Sequence, residues 1–69
     1  MEIYELHVLC RERLYKRYYV GPVGLESARE DFARFKENEF AKFVDLYECD
    51  INSGGIITTG HNLEHFERS

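Results

Sequence analysis

A chain of 69 residues has room for one small domain, whose core is too small to enclose a deep catalytic cleft. Its hydrophobic content of 43% excludes a disordered chain, and its net charge of −4 argues against a general nucleic-acid binder, which needs basic residues to neutralise phosphates. The sequence therefore predicts a single domain over residues 1–69 that acts by binding rather than by catalysis.

Three features of the sequence bear on localisation. No apolar run approaches the roughly 18 residues that would span a membrane, and Met1 is followed by acidic Glu2 rather than by a basic and then apolar leader. Cys10 and Cys49 are far apart, whereas small secreted domains usually contain several closely spaced pairs. We therefore expect a soluble cytoplasmic protein that makes no contact with a membrane.

The first two segments predict a β-hairpin. Residues 1–10 alternate in character along the chain, and residues 14–20 form a second run rich in tyrosine, as is typical of β-strands. The charged segment 11–13 separates the two runs. Because it lacks the Asn-Gly or Asp-Gly dipeptide of a tight turn, we expect a loop of about three to five residues.

A helix is predicted over residues 25–37, after the strand-breaking segment Gly21-Pro22-Val23-Gly24. Either Gly24 or Ser27 could cap its start, and Asn38 could end it. Its apolar residues recur at helical spacing and form one stripe, while charged residues cover most of the remaining surface. The stripe consists of Leu25, Ala28, Phe32 and Phe35.

The rest of the chain predicts a second hairpin. A period near two indicates a third strand over residues 42–51, although neither of its sides is apolar enough to identify the buried one. Asn52-Ser53-Gly54-Gly55 is a strong turn signal, and the β-branched run 56–59 after it predicts a fourth strand that Gly60 ends. Residues 61–69 are then either a short terminal helix or a frayed tail.

Together these elements predict an α+β fold in which one helix packs on a four-stranded antiparallel sheet, in the order β-β-α-β-β. The helical stripe and the alternating residues of the first strand would meet in one core. We expect that core to contain Tyr4, Leu6, Val8, Leu25, Ala28, Phe32 and Phe35.

Within this order of elements, the run Phe43-Val44-Asp45-Leu46-Tyr47-Glu48 leads into the Gly54-Gly55 turn. In this run, in its size and in its acidity, the chain resembles small bacteriophage-encoded accessory proteins, among them inhibitors of host RNA polymerase and anti-CRISPR proteins. The resemblance covers most of the chain. It implies a larger host protein as the partner, the host cytoplasm as the location and inhibition as the activity, and it carries over no functional residue.

His61, Glu64 and His65 match the H-x-x-E-H pattern of zinc hydrolases. Such enzymes need a third ligand from a later helix, and here four residues follow His65, so we interpret the match as chance. Cys10 and Cys49 lack the close spacing of structural zinc ligands and are better explained as small buried residues. The sequence predicts no enzyme activity, no bound metal and no cofactor.

The charged and aromatic residues suggest two binding surfaces. Residues 1–22 contain three acids and four bases, whereas residues 23–69 contain ten acids and five bases. Tyrosine and arginine, which are favoured in protein interfaces, alternate along the second strand. The interface candidates there are Arg13, Tyr15, Arg17 and Tyr19. The acids that could compete for a partner's nucleic-acid groove are Glu30, Glu37, Asp45 and Glu48.

We therefore predict a binding module that inhibits or regulates a larger host protein, one that handles nucleic acid. Two alternatives stay open. The basic and tyrosine side chains could hold single-stranded nucleic acid, and the chain could be a self-associating structural subunit such as a homodimer. An ordinary exposed edge strand, in which lysine and arginine discourage pairing, also explains the second strand.

Overall fold

Four strands and one helix form the computed structural model, which describes residues 2–68. The strands make one antiparallel sheet in the order β2-β1-β3-β4, and the helix packs on one side of it. The predicted α+β fold is confirmed. Among the described residues, no helix has the length and apolarity needed to cross a membrane. The elements are β1 (Ile3–Cys10), β2 (Arg13–Val20), α1 (Gly24–Lys36), β3 (Ala41–Ile51) and β4 (Ile57–Glu67).

The two sides of the sheet differ because successive residues of a strand point to opposite sides. Helix α1 covers the side on which β1 places Tyr4, Leu6 and Val8, and we call it the helix side. The opposite side, which carries Glu5 and His7, has no helix over it among the described residues, and we call it the open side.

The core lies between α1 and the two central strands, β1 and β3. Leu6 of β1 pairs with Leu46 of β3, and both side chains are fully buried beneath Phe32 of the helix. Burial of each such side chain stabilises the fold by about 1.5–3 kcal/mol. Of the seven predicted core residues, five are buried and two, Leu25 and Phe35, are half-buried and pack against the core. The five are Tyr4, Leu6, Val8, Ala28 and Phe32.

The loop between β1 and β2 is shorter than predicted. Cys10 pairs with Arg13, so only Arg11 and Glu12 form the turn, and the expectation of three to five residues is wrong. Both turn residues have positive φ, 52° and 67°, as a two-residue type I′ turn requires. The Arg11 guanidinium lies 3.8 Å from the centre of the Phe40 ring, which supports this unusual backbone by a cation–π contact.

The start of α1 also differs from the prediction. Val23 is the N-cap and no side chain caps the helix, so neither Gly24 nor Ser27 has the predicted role. Gly24 is the first helical residue and is buried, and a Cβ added to it would lie 3.2 Å from the carbonyl carbon of Tyr19. Glycine therefore lets the helix begin directly against β2. The helix ends with Glu37 as its C-cap, one residue before Asn38.

The second hairpin is confirmed, with β3 pairing antiparallel to β4. The side-chain oxygen of Asn52 accepts hydrogen bonds from the backbone N–H groups of Gly54 at 2.9 Å and Ile56 at 3.0 Å. Gly55 has a φ of 80°, which a residue with a side chain rarely adopts.

The prediction for the last nine residues is wrong over the part that the structure describes. Strand β4 continues through Gly60 to Glu67, where a terminal helix or frayed tail was expected, and Ser69 lies outside the described residues. Gly60 marks a bulge rather than an end: a Cβ added there would lie 2.7 Å from the carbonyl oxygen of Glu48, and the pairing shifts register nearby. Beyond the bulge, Leu63 and Phe66 pack against the core.

Candidate functional site

Strand β2 forms one edge of the sheet. Its eight residues pair with β1 in a continuous register, from Val20 opposite Ile3 to Arg13 opposite Cys10. Every residue of the strand is exposed except half-buried Tyr19. Within the described chain no strand pairs with its other edge, so its outward N–H and C=O groups are free to bond to a partner.

The four interface candidates of β2 lie on one side of the sheet, the helix side. Their partners across the ladder with β1 are core-facing residues, and Tyr15, for example, lies opposite Val8. Arg13, Tyr15 and Arg17 are exposed and form one surface along the edge. The structure therefore brings three of the four candidates together.

Tyr19, the fourth candidate, is used inside the fold. Its hydroxyl donates a 2.6 Å hydrogen bond to Oδ2 of Asp31 on α1. Burial contributes most, and this bond next, to raising the pKa of Tyr19 to about 12. Arg17 also donates to that oxygen, at 3.3 Å, and Arg34 lies 3.5 Å from the other oxygen. Asp31 thus attaches the helix to β2. Asp31 was not among the predicted site residues, because nothing in the sequence determines which helical acid faces the strand.

A groove of about 480 Å³ lies beside the exposed surface of β2, where the C-terminal half of α1 passes over the sheet. Phe35 of the helix and Tyr15 of the strand line it, and Tyr15 is 47% exposed. Cys10, Lys16 and Arg17 complete its lining. The groove therefore offers an apolar recess next to an unpaired backbone edge and basic side chains.

The four acidic candidates do not form one surface. Glu30 and Glu37 are exposed on the helix and its C-cap, and Glu48 is exposed on the helix side of β3. Asp45 lies on the open side, where it pairs with His65 and accepts a 3.3 Å hydrogen bond from the Asn62 side chain. Charge scattered in this way favours solvation and local ion pairs over a continuous acidic surface.

The open side contains a buried acid that sequence analysis did not single out. Glu5 is only 3% exposed, and its Oε1 accepts a 2.8 Å hydrogen bond from the Thr59 hydroxyl. His7 Nε2 also lies 2.8 Å from that oxygen, at ion-pair distance but without the geometry of a hydrogen bond. Burial acts to raise the pKa of Glu5, but Tyr18, Thr59 and His7 together outweigh burial and lower the pKa. Alternation alone gave no sign that this acid would be buried.

The residues considered for metal binding are separated by the fold. Within β4, Glu64 lies 3.3 Å from Arg29 of the helix, whereas His65 contacts Asp45 on the open side, so the H-x-x-E-H motif has extended rather than helical geometry. Cys10 and Cys49 are both free and lie on opposite sides of the sheet. Over residues 2–68, no group of three or more potential ligands is placed to hold a metal ion.

Comparison with protein-family models, with curated proteins and with solved structures found no match to this chain. The function must therefore be inferred from the surfaces of the molecule. Among them, β2 combines an unpaired backbone edge, a cluster of arginine and tyrosine, and an adjacent groove.

Proposed function

We propose that this chain is a protein-binding module that recognises a larger protein through the exposed edge of β2. The supporting observation is that Arg13, Tyr15 and Arg17 share one exposed surface beside the groove at Phe35. Arginine and tyrosine are frequent anchors of protein interfaces, since each combines a large contact area with directional hydrogen bonding.

In its finer form, the proposal is an intracellular inhibitor or regulator of a host protein that handles nucleic acid, of the kind that bacteriophages encode. Two free cysteines on opposite sides of the sheet support a reducing compartment. A net charge of −4 would favour approach to a basic, nucleic-acid-binding protein. The contact itself is assigned to β2 because the acidic candidates are dispersed.

The proposal assigns binding rather than catalysis. The acid with the most developed polar surroundings, Glu5, is 3% exposed, and hydrogen bonding to Thr59 occupies it within the fold. A general acid or base must reach a substrate within hydrogen-bond distance. Glu5 is better explained as a polar cross-link of the open side.

Single-stranded nucleic acid is the second candidate, supported by the basic residues Arg13, Lys16 and Arg17 on the exposed strand. Base stacking on β2 is limited, however, because Tyr15 and Tyr18 lie on opposite sides of the sheet. The local charge favours nucleic acid as the partner, whereas the arrangement of the aromatic rings favours a protein partner.

The test is affinity capture from a nuclease-treated lysate with the wild-type protein and two charge-reversal variants. Arg13→Glu changes the proposed surface, and Lys42→Glu reverses an exposed base on central strand β3 as the matched control. We expect a protein partner that wild type and Lys42→Glu retain and Arg13→Glu loses. Recovery of no protein, together with binding of a labelled oligonucleotide at physiological salt, would replace the proposal by the nucleic-acid alternative.

A further inference from the structure

The two edges of the sheet are not equivalent. β4 pairs with β3 through two register shifts, and such bulges disturb an edge and make it a poor template for another strand. β2 pairs with β1 without any shift, and none of its eight residues is proline. The backbone groups on its outer edge therefore keep the regular spacing that an added strand requires.

The groove beside β2 suits one side chain of such a strand. A strand added next to β2 would place alternate side chains on the helix side of the sheet. There they would run past Arg13, Tyr15 and Arg17, with the recess between Tyr15 and Phe35 open to them. The lining of this recess favours an apolar side chain at the central position of the added segment.

Local charge indicates which residues would flank that apolar side chain. Arg13 and Arg17 lie on the groove side of β2, and Lys16 lies on the open side. Although the whole chain has a net charge of −4, charges beyond about 8 Å are largely screened at physiological salt. Asp31, 3.3 Å from Arg17, offsets part of the charge of Arg17. Arg13 and Lys16 form no ion pair among the described residues, so the local charge along the edge remains basic. These bases favour aspartate or glutamate on either side of the apolar residue.

A second copy of this chain fits the same edge poorly. Residues directly opposite each other in a strand pair point to the same side of the sheet, so two β2 strands in symmetric antiparallel pairing must centre on a single residue. The two registers with the most overlap therefore place Lys16 opposite Lys16 or Arg17 opposite Arg17. Like charges directly opposite each other destabilise a strand pair. The edge therefore suits an acidic segment of a partner protein better than a second copy of this chain.

We infer that β2 binds by strand addition: an extended segment of the partner, with an apolar residue flanked by acids, pairs with its free edge. This inference rests on the proposed protein-binding function and specifies its mechanism. Backbone hydrogen bonds along β2 supply the general affinity, while the groove and the arginines select the segment.

The experiment is selection from a displayed library of random peptides about ten residues long, enough to pair with the eight residues of β2. We expect enriched peptides with a central apolar residue between acids. Arg13→Glu should weaken binding of a synthetic form of the most enriched peptide by about tenfold or more, and Lys42→Glu should leave the affinity for this peptide unchanged. Methylation of alternate backbone nitrogens removes hydrogen-bond donors from the peptide without altering the protein. Methylation of the set that faces β2 should weaken binding of the peptide by a similar factor.

Strand addition would be overturned by enriched peptides without acids, by tolerance of the methylated backbone on both alternating sets of nitrogens, or by undiminished binding to Arg13→Glu. Failure to enrich any peptide would also overturn it. The proposed function would survive each result if the lysate capture still recovered a protein partner that depends on Arg13, so the two failures are distinguishable. Concentration-dependent dimerisation that Lys16→Ala or Arg17→Ala strengthens would assign the edge to a second copy instead.

Discussion

At the scale of single residues, two carboxylates each link elements that are far apart in the sequence. Asp31 joins α1 to β2 through Tyr19 and Arg17, and Glu5 links the open side through Thr59. A buried carboxylate is costly unless hydrogen bonds compensate for its lost hydration, and Glu5 has such partners. Both acids therefore serve the fold, which leaves the exposed Arg13 and Tyr15 available for binding.

The lowered pKa of Glu5 predicts a specific dependence of stability on pH. Its folded pKa lies below the usual value of 4.5, so the carboxylate contributes stability above about pH 4.5, and this is lost as pH falls through the folded pKa. Glu5→Gln should cost about 1–3 kcal/mol at pH 7 and reduce the loss of stability on acidification. Urea unfolding from pH 7 to pH 3 would measure both.

The control for this prediction is Glu26→Gln, which changes an exposed acid in the first turn of α1. Its stability should follow that of the wild type across the same pH range. If Glu5→Gln and wild type lost stability in parallel on acidification, the assignment of an acid-sensitive cross-link to Glu5 would be wrong.

At the scale of elements, hydrophobic periodicity predicted the helix and the core strands, because it reports which residues share a side. It located the turn within residues 11–13 but not its length, since neither Arg11 nor Glu12 is a residue type that signals positive φ. It also misplaced the end of β4, because Gly60 was interpreted as a strand breaker. Its missing side chain instead allows close approach of the Glu48 carbonyl.

Gly60→Ala tests this interpretation of β4. The added Cβ would lie 2.7 Å from the Glu48 carbonyl oxygen, so backbone atoms must shift, and we expect a loss of about 1–3 kcal/mol. Ser53→Ala, at an exposed position in the turn before β4, is the matched control and should be nearly neutral. Thermal melts would compare the two, and an unchanged Gly60→Ala melting temperature would argue against the bulge.

At the scale of the whole molecule, the candidate site was predicted only in part. Alternation was sufficient to place Arg13, Tyr15 and Arg17 on one side of an exposed strand. It could not show that Tyr19 is bonded to α1, because the rotation of a helix over a sheet depends on tertiary packing. It also could not show that Asp45 lies on the opposite side of the sheet from the arginines.

Amide hydrogen exchange of the isolated protein can show whether β2 offers a free edge to a partner. In an antiparallel strand at an edge, N–H groups alternate between those bonded to the neighbouring strand and those facing outward. We expect alternate amides of β2 to be protected and the intervening ones to exchange rapidly, whereas β1 and β3 are protected throughout their paired lengths. Uniform protection along β2 would show that its outer edge is already bonded and is not free to bind a partner.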